Sequence, residues 1–332
     1  MMTQETFLQE LNAFINEWHN ESSTIIVHTS GSTGTPKAIQ VEKIRMMASA
    51  RQTCKFLRLK EGDTALLCMP LPYIAGKMMV VRSIVAGLKL IPVTPSGHPL
   101  ASLKETPYFA AMTPMQVYNS LQVQEEKAKL MDINQLIIGG GAIEENLAKE
   151  LKTFPHSVWS TYGMTETLSH IALRRLNGND ASEWYKPFDG VHIRLSQDSS
   201  LIIKAPSVCP EELITNDIAE INDKGLFRIL GRKDNIINSG GIKIQIEQVE
   251  TLLKKHIDKP FQITSFPDEK FGEIVAMLYE EGEEKQLLSV CQQALPNYWI
   301  PKRFMKVTNL PKTETGKPDR ATAKMIIKTL DR

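Results

Sequence analysis

Residues 28–38 read HTSGSTGTPKA. Between two apolar runs this stretch sets hydroxyls at Thr29, Ser30, Ser32, Thr33 and Thr35, glycines at Gly31 and Gly34, and a cation at Lys37. Glycine permits positive φ and close ligand approach. Consecutive backbone N–H groups in such turns form anion-binding concavities, and the hydroxyls add further donors. The ligand that suits this chemistry is a polyphosphate. The spacing is not that of a Walker A loop, which needs GxxxxGK[ST] between a strand and a helix. Here Lys37 follows Pro36 and leads into the strand-like AIQV. For the loop taken alone, a surface turn with incidental hydroxyls is the alternative.

The loop is followed, in order, by STYGMTET (160–167), TND (215–217), GRKDNIINSGGIKIQIEQVE (231–250) and LPKTETGKPDR (310–320). Together the five segments resemble the signature segments of the adenylate-forming superfamily of acyl-CoA synthetases, luciferases and peptide-synthetase adenylation domains. The resemblance spans residues 28–320. It implies an ATP-dependent acid–thiol ligase using Mg²⁺ and coenzyme A. A carboxylate attacks the α-phosphate of ATP to give an acyl-adenylate and pyrophosphate, and a thiol then displaces AMP. Two anions must meet, so such a site has to neutralise charge and orient an in-line attack.

The resemblance also implies roles. The segment 29–37 holds the β- and γ-phosphates. Tyr162 stacks on adenine, with Gly163 and Met164 beside it. Thr165 meets phosphate, and Glu166 holds Mg²⁺, a hard cation that prefers oxygen ligands. Asp217 takes both ribose hydroxyls; its neighbour Asn216 stands where the family usually has glycine. Arg232 helps with ribose or phosphate, or else makes an inter-domain salt bridge. Asp234 is the hinge about which a small domain rotates between the two half-reactions. Lys317 touches both the incoming carboxylate and the α-phosphate, and Lys312 is its solvated neighbour.

For the acid, the pocket is expected to be lined by Tyr73, Ile74, Lys77, Gly139, Ser169 and His170. Most relatives carry a PLFH-like segment where this chain has MPLPYIAG, so Tyr73 replaces a histidine. The triple glycine lets a flat ring or chain lie against backbone, with Gly140 and Gly141 toward the nucleotide. His170 either hydrogen-bonds a keto or carboxylate group or is structural. GMTETLSHIALR is similar to the matching segment of o-succinylbenzoate–CoA ligases of menaquinone biosynthesis. That substrate has a second carboxylate, for which Lys77 is the candidate counter-charge; a snorkelling surface lysine is the alternative.

These residues need elements to hold them. Apolar residues at helical spacing predict a helix over 5–19 and another in MMASARQTCKFLRL. STIIVHT, KAIQVEK, ALLCMPL, LKLIPV, YFAAMT and NQLII read as strands between helical segments, an α/β pattern. Residues 188–230 alternate like antiparallel hairpins. The expected architecture is a large multi-sheet α/β adenylation domain with an antiparallel β portion over 1–231. A small, mobile α+β domain carrying the lysine loop follows over 232–332.

Composition narrows the classes. An apolar fraction of 42%, a charged fraction of 23% and a net charge of +1 fit a globular protein with no global field for nucleic acid or an anionic membrane. No signal peptide or membrane span is legible, and the four cysteines lack CxxC spacing, so a reduced, cytoplasmic protein is expected. Only residues 1–27 precede the phosphate loop, where the family has a substantial subdomain. The expectation is therefore an N-terminally short ligase, its exposed apolar surface covered in a homodimer. The rivals are another aryl- or acyl-CoA ligase, an enzyme loading a carrier-protein thiol, and an inactive nucleotide-binding regulator.

Overall fold

The computed structural model describes residues 2–28, 38–141, 143–313 and 318–331. The chain opens with helix α1 (Gln4–His19), capped by the Thr3 hydroxyl accepting from the Thr6 N–H, and an antiparallel hairpin of β1 (Thr24–His28) and β2 (Ala38–Glu42). Helix α2 (Lys43–Leu57) leads into β3 (Thr64–Leu67), α3 (Ile74–Ala86), β4 (Lys89–Pro92) and β5 (Phe109–Met112). Helices α4 (Pro114–Leu121) and α5 (Gln124–Asp132), strand β6 (Gln135–Ile138), helix α6 (Glu145–Leu151) and strand β7 (Ser157–Gly163) follow. Strands β8 (His170–Arg175), β9 (Lys186–Pro187), β10 (His192–Leu195), β11 (Ser200–Lys204), β12 (Leu213–Ile221) and β13 (Phe227–Arg232) come next. The last part holds β14 (Ile236–Ser239), β15 (Ile242–Gln245), α7 (Ile246–Leu253), β16 (Phe261–Asp268), β17 (Gly272–Tyr279), α8 (Glu284–Ala294), β18 (Arg303–Lys306) and α9 (Arg320–Ile327).

Packing divides the chain into two compact units. The first comprises residues 1–194, 203–213 and 222–228, and the second 195–202, 214–221 and 229–332. A four-stranded sheet has the order β10-β11-β12-β13.

The first unit is built on a seven-stranded sheet of order β4-β3-β5-β6-β7-β8-β9. Its first five strands are parallel, while β8 and β9 run antiparallel to their neighbours. Parallel strands need crossover connections, and the segments after β3, β5 and β6 supply helices for them. One core packs Leu66, Ala110, Met112, Leu136, Ile138 and Val158 of the sheet against Val117, Leu121, Leu130, Leu147 and Leu151 of the helices. Helix α3 is buried along its middle, from Gly76 to Ser83, as an almost uniformly apolar helix must be.

The second unit carries a five-stranded sheet in which β15-β14-β17-β16 run in order and β18 pairs in parallel with β17. The long antiparallel pair β16–β17 is buried on both faces. Ile263, Val275 and Met277 face a core with α7 and α8 residues such as Val249, Leu253, Leu287 and Cys291. Phe266, Ile274, Ala276 and Leu278 face Ala323 and Ile327 of α9.

Candidate functional site

Strands β3, β5, β6 and β7 are parallel, so the loops that leave them share the carboxyl edge of the sheet, where open α/β sheets take their ligands. The loop after β3 leads to Tyr73, which caps α3 and bridges to His28 at the end of β1. The loop after β6 is Gly139–Gly141. A side chain at Gly139 would run into the Thr161 hydroxyl on β7, and Gly140 has φ +82°. Glycine is thus required at the first position for space and at the second for conformation.

The segment after β7 is the best-defined part of the edge. The β7–β8 register shifts between Tyr162 and Gly163, and a Cβ on Gly163 would collide with the Ser169 carbonyl and the His170 backbone. Thr165–Thr167 form a 3₁₀ turn, and buried Leu168 closes it at φ +64°, an unusual conformation for a bulky residue. Thr167 holds the turn. Its buried hydroxyl accepts from the Met164 N–H at 3.1 Å and lies 2.7 Å from the Ser169 carbonyl. Thr165 is half-buried and Glu166 exposed. Among the described residues no three His, Cys, Asp or Glu side chains group as a metal site. A Mg²⁺ held through one carboxylate, with phosphate and water oxygens completing its shell, fits that donor set.

Tyr162 is half-buried with its edge against Phe227 (centroids 5.0 Å) and beside Tyr185 (5.8 Å). Tyr185 stacks on Phe227 and hydrogen-bonds Ser160 through its hydroxyl. Aromatic packing of this kind fixes the ring plane.

Lys77 and Arg82 are both buried on α3 and differ in their partners. The Lys77 ammonium lies 3.7 Å from a Glu17 carboxylate oxygen and 4.6 Å from the centre of the Phe14 ring, both on α1. Arg82 is 2% exposed and pairs with no carboxylate among the described residues. Its Nη2 donates to the Ser169 hydroxyl at 2.6 Å, while its buried Nε has no hydrogen-bond partner. Burial lowers the guanidinium to about 10 from its usual 12.5. Ser169 also lies 3.2 Å from His170 Nδ1, and His170 Nε2 lies 3.0 Å from the Thr53 hydroxyl on α2. Burial, and secondarily the Arg82 charge, hold the His170 imidazole well below its ordinary value, so the ring is neutral. Arg82 and Thr53 are absent from the residues singled out by sequence. The available signal for Arg82 was a lone arginine in VVRSIV.

In the second unit Asp217 and Asp234 flank Arg232, at 3.4 and 3.3 Å. Asn216 donates to Asp234 at 3.1 Å, so the asparagine at the family's glycine position has a partner. Residues around Asp234 are tied likewise: Lys233 to Asp198, and Asn235 to Glu247. Residues 29–37 and Lys317 lie outside the described residues. Their flanks are defined: His28 pairs with Ala38, and Lys312 bridges to Pro318. The Asp319 carboxylate caps α9, and Arg320 makes a bidentate pair with Glu250 at 2.6 and 2.7 Å.

Residues 4–202 match the AMP-binding enzyme family. The chain is 26% identical to a 2-succinylbenzoate–CoA ligase of Listeria monocytogenes, over 92% of this chain and 70% of that protein. A crystal structure of an acyl-CoA synthetase (AMP-forming)/AMP-acid ligase II-like protein from Dyadobacter fermentans aligns with TM-score 0.68 at 31% identity, covering 98% of this chain and 96% of that one. The fold is shared with an o-succinylbenzoate CoA synthetase of Bacillus subtilis, solved with an acyl-adenylate intermediate. Their TM-score is 0.76 at 22% identity, over 90% of this chain and 68% of that one.

Proposed function

The chain belongs to the AMP-binding enzyme family, and on that premise we propose that it is an AMP-forming carboxylic acid–CoA ligase acting on 2-succinylbenzoate. The ligase of Listeria supports the substrate by its name and its match over most of the chain. Within the site, the observation that carries the reading is Arg82. A buried guanidinium with an unpartnered Nε and no carboxylate of its own lacks the counter-charge that burial calls for, which supports a reading in which the substrate supplies it. A substrate with one carboxylate to activate and another to anchor meets that need. Lys77, already matched by Glu17, is left to shape the pocket with Tyr73.

In this reading the segment 29–37 grips the β- and γ-phosphates and Tyr162 covers the adenine, with Gly140 and Gly141 alongside. Asp217 and Arg232 take the ribose. Bound Mg²⁺ would supply charge neutralisation for the phosphates, held by Glu166 with phosphate oxygens, while Thr165 meets phosphate. Lys317 draws the carboxylate and the α-phosphate together, an oxygen–phosphorus bond forms, and pyrophosphate leaves. The small domain, bounded near residue 232, then turns about Asp234. The CoA sulfur attacks the acyl carbon, and AMP departs. A cytoplasmic location belongs to the same reading and suits the four unpaired, buried cysteines. A homodimer also belongs to it, with Ile26 and Ile44 as exposed apolar surface for a second copy.

The test is thioester and pyrophosphate formation with ATP, Mg²⁺ and CoA on a panel of 2-succinylbenzoate, benzoate, phenylacetate and a fatty acid. The dicarboxylate is expected to be preferred. Arg82→Gln should lower its kcat/KM by about 30- to 1,000-fold, as expected for removing one side of a buried charge pair. Turnover of benzoate at the same efficiency overturns the substrate, and pyrophosphate release with no acid of the panel overturns the enzyme.

A further inference from the structure

With a neutral imidazole, only one arrangement of hydrogens makes all four polar contacts behind Arg82 at once. Arginine donates and never accepts, so the Arg82 Nη2–H bond ends on a lone pair of Ser169 Oγ. The Ser169 hydrogen is then directed to His170 Nδ1, 3.2 Å away. That leaves the imidazole hydrogen on Nε2, which donates to the Thr53 hydroxyl. Thr53 passes its own hydrogen to the Ser49 carbonyl one helical turn back, at 3.2 Å. The carbonyl end sets this direction, since the single Thr53 hydrogen goes to Ser49, and the arginine end is compatible with it. Thr53, His170 and Arg82 are buried, and Ser169 between them is half-buried.

We propose that Thr53 and His170 are positioning residues that fix the Ser169 hydroxyl, and through it the Arg82 guanidinium, so that the pocket selects an acid bearing a second carboxylate. Neither touches the substrate; they act through Ser169. Helix α2 and strand β8 thus set the selectivity of a residue on α3. The selectivity part rests on the ligase reading above. Without the Thr53 hydroxyl the imidazole loses its Nε2 acceptor inside the protein, a penalty that moving the hydrogen to Nδ1 relieves. Nδ1 would then donate to Ser169, the serine hydrogen would turn elsewhere, and the grip on Nη2 would loosen.

The experiment compares wild type, Thr53→Val, Thr53→Ser and His170→Gln. The acids are 2-succinylbenzoate and its two analogues lacking one carboxylate, 2-butyrylbenzoate and 4-oxo-4-phenylbutanoate. Thr53→Val keeps the shape and removes the hydroxyl. It should raise KM for 2-succinylbenzoate about tenfold, the worth of one buried hydrogen bond, leaving KM for ATP and the efficiency with the monocarboxylate substrate unchanged. His170→Gln should reproduce the loss, and Thr53→Ser should restore wild-type values. An equal fall for both kinds of acid, or none for either, overturns the positioning role. Nitrogen NMR of the imidazole gives a readout independent of turnover. The Nε2–H tautomer is expected in wild type and its loss in Thr53→Val, whereas an Nδ1–H or doubly protonated ring in wild type overturns the relay. Failure of wild type to turn over 2-succinylbenzoate overturns the ligase reading and the selectivity with it; the tautomer still decides the relay.

Discussion

His170 and Arg82 pose the same problem at the scale of single residues: a polar group taken from water needs partners. The imidazole has Thr53 and Ser169, and it is held neutral by burial and then by the guanidinium charge. In the unfolded chain it titrates near 6.5. Below that pH the unfolded state binds a proton that the folded state does not, so stability is lost as pH falls from about 7 toward 5, at up to about 1.4 kcal/mol per pH unit. His170→Gln removes this dependence. The unfolding free energy of wild type minus that of the variant should be flat above pH 7.5 and decline on acidification in denaturant titrations; a constant difference across pH 5–8 contradicts a buried neutral ring. Lys77 and Arg82 teach the complementary lesson. Five positions apart on one helix, both are charges within an apolar run, and only their partners separate them.

Among the elements, the β7–turn–β8 unit does most to place the candidate groups. Its strand and polar turn are legible in the apolar-then-polar order of HSVWSTYGMTET. The antiparallel return, the shifted register and the left-handed Leu168 are not, because they follow from strand pairing. Gly163 is where that pairing is tightest. Gly163→Ala should cost about 1–3 kcal/mol through overpacking against backbone, seen as a lower denaturation midpoint. By displacing Ser169 and His170 it should also weaken acid binding. A variant with wild-type stability and KM would show that the strands part without consequence. The hairpin β1–β2 is a second case: both strands were readable in the sequence, while their direct pairing across residues 29–37 needed the fold.

At the scale of the molecule, the chain packs as two compact units, and each has its own core. Within the second unit the chain on either side of Lys317 is anchored, by the Lys312–Pro318 bridge, the Asp319 cap and the Arg320–Glu250 pair. If Lys317 serves only the first half-reaction, Lys317→Ala should lower acid-dependent pyrophosphate exchange by about 10²–10³-fold, the usual cost of losing a charge-stabilising donor. Thioester formation from supplied acyl-adenylate and CoA should be largely retained. Equal loss of both half-reactions would refute this division of labour.

The sequence by itself determined the chemistry class and the elements. Glycine, hydroxyl and carboxylate signatures lie within short segments, and helical and strand periodicities repeat locally along the chain. Only the tertiary structure decided which buried charge goes unmatched and which way the hydrogens run behind it. Thr53 and His170 are 117 positions apart, and Arg82 and Ser169 are 87 apart. Contacts at such separations are set by how a sheet stacks its helices, and no local pattern of residues records them.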